Sequence, residues 1–184
     1  ATFFRYTISK VENLVSIEEE LENCKTYFHI QEYRFGDRLA LHIDQGDDFD
    51  IIRHYKIPKL TLQPILENSI IHGTELKLGT SHLRISFQST GKRVIIRISD
   101  DGVGMDEKTL AKLNKKLNSS REFYQEEGSK GGIALVNVNN RIHLLFGEEY
   151  GMHVYSTVDV GTDVEISIPA IISDREVKNR GVLM

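Results

Sequence analysis

The sequence predicts an α+β fold: a two-layer α/β sandwich with helices on one face of a mixed sheet, preceded by a helical extension. Two observations lead there. The apolar period switches along the chain between helical and strand spacing, in the order helix, strand, helix, strand, strand, a long polar stretch, helix, strand, strand. Glycine or proline punctuates most of those switches. The 184 residues suffice for one sizeable domain of this kind with its extension.

Residues 1–15 read as the end of a helix or loop carrying Phe3, Phe4, Tyr6 and Ile8. Ser16 and Glu19 then form a capping box, the serine positioned as N-cap and the glutamate three residues on. From there Ile17, Leu21, Cys24, Phe28, Gln31 and Phe35 recur at alternating steps of four and three, a narrow heptad-like stripe. Such a helix packs on its own domain or also meets a partner helix. Gly36 stops it, and Leu39, Leu41 and Ile43 alternate as a strand. Residues 44–58 form a connection or short helix ending at Pro58. Thr61 is the expected N-cap of a helix from Leu62 to about His72, with Pro64 in its first turn and Gly73 as its stop.

Leu83–Phe87 and Val94–Ile98 are two strands joined through Gly91, an antiparallel hairpin. Asp106 begins a polar helix. Residues 118–130 carry no clear period, and a polar stretch of that length inside a compact domain is usually functional or mobile. Gly131 and Gly132 open a further helix (Ile133, Val136, Val138, Ile142, Leu145), closed by Gly147. Strands over 152–158 and 163–169 complete the order, before a charged tail.

Composition narrows the function. A net charge of −4 gives no support for nucleic-acid binding. A single cysteine, Cys24, rules out an intramolecular disulfide and points away from a thiolate metal cluster. No apolar run approaches the roughly 18 residues of a membrane span. The chain begins at Ala1 without an initiator Met, as an excised piece of a longer protein would.

Three blocks carry chemistry. Asp100-Asp101-Gly102-Val103-Gly104 ends the second hairpin strand in a D-x-G-x-G spacing. Glycines there allow close backbone approach, and a fixed carboxylate can accept a hydrogen bond from a ligand amine; alone, such a stretch is also an ordinary turn. In Gln63–Gly73, the amide oxygen of Asn68 suits a hard cation such as Mg²⁺, though an asparagine on a helix, taken alone, is more often just solvated. Glu67 is its neighbour and His72 lies one turn on. In Lys130–Asn137, glycines lead into a helix N-terminus, whose free N–H groups suit phosphate; a glycine loop with no ligand is the competing reading. Gly161-Thr162, before the last strand, reads first as a turn.

Together these blocks resemble the ATP-binding domain of the GHKL superfamily (gyrase, Hsp-type chaperones, MutL, histidine kinases), and most closely LytS-type sensor histidine kinases. QPILENSIIHG at 63–73 resembles the N box, DDGVGM at 100–105 the first glycine box, and GGIALVNVNNRI at 131–142 the second. FRYTI at 4–8 and residues 16–39 are similar to the segment before that domain. The resemblance implies the Bergerat ATP-binding fold, with residues 1–37 as a helical linker, 38–170 as the catalytic domain and 171–184 as a tail. It implies ATP and Mg²⁺ as cofactors, with Asn68 holding the metal and Asp100 accepting from the adenine amino group. Gly102 and Gly104 would let the backbone approach the base, 106–130 would form a lid, and Gly131 and Gly132 would contact phosphates. His72 and Lys130 are further phosphate candidates on position, and Thr162 a further nucleotide contact.

In that family the γ-phosphoryl passes to a histidine and then to an aspartate of a response regulator. The implied partners are therefore the phosphoacceptor and dimerisation helices of a homodimeric kinase and a response regulator, with the domain on the cytoplasmic side of a membrane-bound sensor. None of the seven histidines has the Pro-His-Phe context of the family's acceptor, so the acceptor is expected upstream of Ala1. Pro64 occupies the place, one turn before Asn68, where chaperone- and gyrase-like members carry a glutamate base. That favours transfer to an external nucleophile over hydrolysis, with Glu67 as the catalytic candidate for orienting the acceptor. Lys130 and Ala134 depart from the commoner glycines of the second box. Two alternatives stay open: a non-catalytic nucleotide-sensing or dimerisation module, and a serine kinase of the anti-sigma type.

Overall fold

The computed structural model describes residues 14–74, 77–119 and 132–172. Its main sheet has five strands: β2 (Leu39–Asp44), β4 (Ser81–Ser89), β5 (Arg93–Asp100), β6 (Gly151–Thr157) and β7 (Gly161–Pro169). Their order is β2-β4-β5-β7-β6, with β2 parallel to β4 and every other pair antiparallel. Leu83, Ile85, Phe87, Val94, Ile96, Ile98, Val154, Val164, Ile166 and Ile168 form its buried face. Arg84, Arg97 and His153 alternate with them and point off the other face, which is open to solvent. One layer of helices on one face of a mixed sheet is the expected α+β sandwich.

The helical layer is α1 (Ile17–Phe35), α2 (Phe49–Ile52), α3 (Leu62–Ser69), α4 (Glu107–Asn118) and α5 (Ile133–Phe146). The capping box opens α1 as expected: the Ser16 hydroxyl accepts from the Glu19 N–H at 3.1 Å, and Glu19 accepts from the Ser16 N–H at 2.9 Å. Of its stripe, Ile17, Leu21, Cys24, Phe28 and Phe35 are buried. Each such buried side chain is worth on the order of 1.5–3 kcal/mol relative to exposure. Asp106 caps α4 with its carboxylate on the Thr109 N–H at 2.9 Å, and Gly147 ends α5.

Four expectations are corrected. Residues 14–16 are a strand, β1 (Leu14–Ser16), paired antiparallel with β3 (Lys56–Pro58); three residues are too few to show a period. Residues 44–58 hold the one-turn helix α2 as well as β3. Thr61 does not cap α3 with its side chain, because its hydroxyl donates to the Pro58 carbonyl at 2.6 Å. Nor does Gly73 stop that helix sharply: after Ser69 the chain widens into a π turn over Ile70–Thr74, a deviation often found at functional sites.

Strand β6 is the edge beside α4 and α5, and two side-chain amides cover it. Asn114 of α4 donates to the Val154 carbonyl at 2.7 Å and accepts from its N–H at 3.1 Å. Asn139 of α5, 1% exposed, accepts from the Met152 N–H and donates to the Leu117 carbonyl, both at 2.7 Å. These bonds satisfy edge groups that would otherwise be buried unpaired or open to another strand.

Candidate functional site

Asp100 is the last residue of β5 and has the same parity as Val94, Ile96 and Ile98, so its carboxylate points in beneath the helices. It stands opposite Thr162 on β7 and Leu83 on β4. The Gly102 N–H donates to it at 3.0 Å. The buried Ser69 hydroxyl on α3 and the Thr162 N–H are the further donor groups near enough to draw its pKa down. Burial pushes its pKa above the ordinary value of 3.8, against the pull of those three donors. Asp101 points the other way: it accepts from Lys77 Nζ, the His82 N–H and His82 Nδ1, each at 2.8 Å. Burial works to raise its pKa, but these bonds outweigh it and hold the group low. The acidic pair is therefore divided, Asp101 engaged in local ion pairs and Asp100 half-buried on the inner face.

The glycine loop is locked onto the β6–β7 turn. Gly104 sits at φ +66°, and a Cβ there would run into the Thr157 carbonyl. The Met105 N–H donates to Ser156 Oγ at 2.9 Å, and the Asp159 N–H donates to the Val103 carbonyl at 2.8 Å. Ser156 Oγ in turn donates to the Gly161 carbonyl at 2.8 Å and meets Thr162 Oγ1 at 2.9 Å. A Cβ at Gly161 would overlap the Asp100 carbonyl, so β7 approaches the carboxylate end of β5 as only glycine permits.

Along α3, Asn68 is half-buried and its side chain makes no hydrogen bond among the described residues. His72 is exposed on the π turn. Glu67 accepts from Gln63 Nε2 at 2.9 Å and faces α1. There, burial first and the charges of Glu20 and Glu67 second push the Cys24 thiol up to about 12; burial and then Glu67 likewise raise the Tyr27 hydroxyl. Gly132, at φ +86°, is the N-cap of α5 and offers no side chain to its first turn. Lys130 and Gly131 lie outside the described residues. α3 packs on both β5 and α5, and α5 packs on β7, the strand beside β5, so α3 stands between the other two block-bearing elements.

A concavity of about 410 Å³ lies where β2, β4 and β5 meet, lined by His42, His82, Arg84, Ser99 and Asp101 and also by Leu83 and Asp100. Most of these side chains belong to the open face, whereas the donors converging on Asp100 belong to the inner one. Two residues of the site, Ser69 and Ser156, were not singled out as candidates. Their signal is a small hydroxyl at an inward position of an otherwise apolar face. No cluster of three His, Cys, Asp or Glu side chains that could hold a metal occurs among the described residues. A hard cation that takes few protein ligands and draws the rest from its substrate's oxygens and water would fit the Asn68 amide oxygen, which accepts no hydrogen bond among the described residues.

Fold and site together define an ATPase-type α+β sandwich. Residues 56–172 match the family described as histidine kinase-, DNA gyrase B-, and HSP90-like ATPase, and residues 1–39 match the histidine kinase family. The chain belongs to the histidine kinase-, DNA gyrase B- and HSP90-like ATPases. It is 37% identical over 160 residues to the sensor protein LytS of Oceanobacillus iheyensis, covering 86% of this chain and 26% of that protein. It is 34% identical to the sensor histidine kinase YesM of Bacillus subtilis, covering 90% of this chain and 26% of YesM. For YpdA of Escherichia coli the identity is 33%, with 91% and 27% covered. The chain thus spans about a quarter of the length of these curated relatives. In fold it is similar to the catalytic domain of histidine kinase ThkA, with a TM-score of 0.58, 14% identity, and 86% of this chain and 97% of that one covered.

Proposed function

We propose that this chain binds Mg²⁺–ATP and passes the γ-phosphoryl to a histidine imidazole supplied by the dimerisation helices of a sensor kinase, from which it goes on to a response regulator. The convergence of Ser69, Gly102 and Thr162 on the inward carboxylate of Asp100 carries the proposal. Three donors orient an acceptor, and the adenine amino group is a donor of matching size. Gly102 and Gly104 keep the flanking backbone close, and Thr162 lines the base through the register it shares with Asp100. The phosphates would run along α3 past Asn68 and His72 toward Lys130, Gly131 and Gly132, where the N–H groups opening α5 favour anions. Asn68 would hold Mg²⁺, which when bound neutralises phosphate charge and sets the γ-phosphorus for in-line attack.

In the transfer, the bond from the γ-phosphorus to the β–γ bridging oxygen breaks, a nitrogen–phosphorus bond forms, and ADP leaves. Positioning and charge neutralisation supply most of the acceleration. Glu67, on the α1 side of α3, is the group we assign to orienting the incoming imidazole. The kinase would act as a homodimer anchored in a membrane through segments outside this chain; among the described residues no helix is long and apolar enough to cross one.

The test is γ-labelled ATP with Mg²⁺ and a separately supplied fragment carrying the acceptor histidine. An acid-labile, alkali-stable label on the fragment is expected. An acid-stable label would mark a serine kinase. Nucleotide binding with no label on any acceptor would mark a sensing module.

A further inference from the structure

The turn that feeds α3 is held from two other helices. Leu60 has φ +59°, a left-handed conformation unfavourable for a residue with a branched side chain. Glu20 of α1, 1% exposed, accepts from the Leu60, Thr61 and Leu62 N–H groups at 2.7, 2.9 and 3.0 Å. From the other side Arg141 of α5 donates through Nη2 to the Leu60 carbonyl at 2.6 Å. Its charge also interacts with that of Glu20, while its buried Nε has no hydrogen-bond partner among the described residues. A buried carboxylate thus does the capping that Thr61 does not, across some 40 residues of sequence.

We infer that Glu20 and Arg141 are positioning residues for the metal–phosphate end of the nucleotide site. Asn68 sits on the helix this turn launches, about two turns on, and a helix that short moves as a rigid rod. Gly132 opens the helix that carries Arg141. One node therefore fixes the asparagine against the α5 N-terminus, and it does so through α1, the helix that leads into the domain. Displacing α1 relative to the turn would withdraw three charge-assisted bonds and release Leu60 from its strained conformation. Asp100 stands on β5, and of the groups around its carboxylate only Ser69 rides on α3, while Gly102 and Thr162 do not. The node should therefore act more strongly on phosphates and metal than on adenine recognition. The inference rests on the nucleotide path proposed above.

The test is calorimetric titration of the full chain with ATP, in Mg²⁺ and in EDTA, for the wild type, Glu20→Gln and Arg141→Lys. In Glu20→Gln the ratio of the two affinities is expected to fall about tenfold, with the EDTA affinity within about twofold of wild type. Arg141→Lys keeps the charge but loses the planar fork, and should give a smaller drop of about threefold in the same ratio. Hydrogen exchange at residues 60–62 should quicken in both variants. A merely structural role would lower thermal stability and leave the ratio in the folded protein unchanged, and that result overturns the inference. If Glu20→Gln fails to fold, an unchanged ratio in Arg141→Lys overturns it equally. A wild type that binds no ATP, or binds it without regard to Mg²⁺, would instead refute the underlying nucleotide path.

Discussion

Around Asp100, Ser69, Gly102 and Thr162 are gathered by the fold, and the glycine loop is pinned to the β6–β7 turn by the protein's own hydrogen bonds. Along α3, Asn68 and His72 present polar groups with no side-chain hydrogen bond among the described residues, on a helix whose end widens into a π turn. On the proposed nucleotide path the two regions have different tasks. A base-recognition point gains affinity from preorganisation, since little ordering cost is left for binding. A phosphate end must admit Mg²⁺, bring up an acceptor and release ADP, so groups that wait for a ligand suit it better than groups already satisfied.

That contrast can be broken at either end. The largest effect is expected at the preorganised one: Asp100→Asn should lower ATP affinity by about 1.5–3 kcal/mol, roughly one to two decades, while the dependence on Mg²⁺ persists. Calorimetry reads both quantities, and an unchanged affinity would remove Asp100 from base recognition. Asn68→Ala should act the other way round. Its affinity in EDTA should match the wild type, and the gain on adding Mg²⁺ should shrink by roughly 1 kcal/mol, a factor of about five. An Asn68→Ala protein with the full Mg²⁺ gain would exclude it as a ligand.

The smallest effect is on pH. Burial raises the Asp100 pKa above 3.8 in the folded protein, so between those two values the native state holds more protons than the unfolded one. Stability then falls as pH rises through that window, because the charged form is the one that burial penalises. Two outcomes follow. ATP affinity should decline as pH drops through the raised pKa, and Asp100→Asn should show no such decline. Without ligand at neutral pH, Asp100→Asn should be at least as stable as the wild type in denaturant titrations. A marked loss of stability would mean that the carboxylate serves the fold rather than a ligand.

Much of this was legible in sequence where the cause is local. The Ser16–Glu19 box, the Gly36 and Gly147 stops, the Asp106 cap and the β4–β5 hairpin depend on residues a few positions apart. Alternation along β5 also tells which acid of the pair turns inward, since Asp100 shares the parity of Ile96 and Ile98. What was not legible depends on distant parts of the chain. Glu20 follows the capping-box glutamate in a run of three acids, and only packing makes it the cap of another helix. Asn114 and Asn139 look like ordinary helix residues until β6 is laid beside them. Thr61 has the right residue type and place for an N-cap, yet the nearby Pro58 carbonyl claims its hydroxyl.

The central claim is that the purine's amino group sits on the Asp100 carboxylate. The most direct measurement compares ATP with purine riboside triphosphate, which lacks that amino group, on the wild type and on Asp100→Asn by calorimetry. The wild type should prefer ATP by about tenfold or more, and the preference should largely collapse in the variant. Equal preference in both proteins would contradict the claim, because the amino group would then be read by something other than this carboxylate.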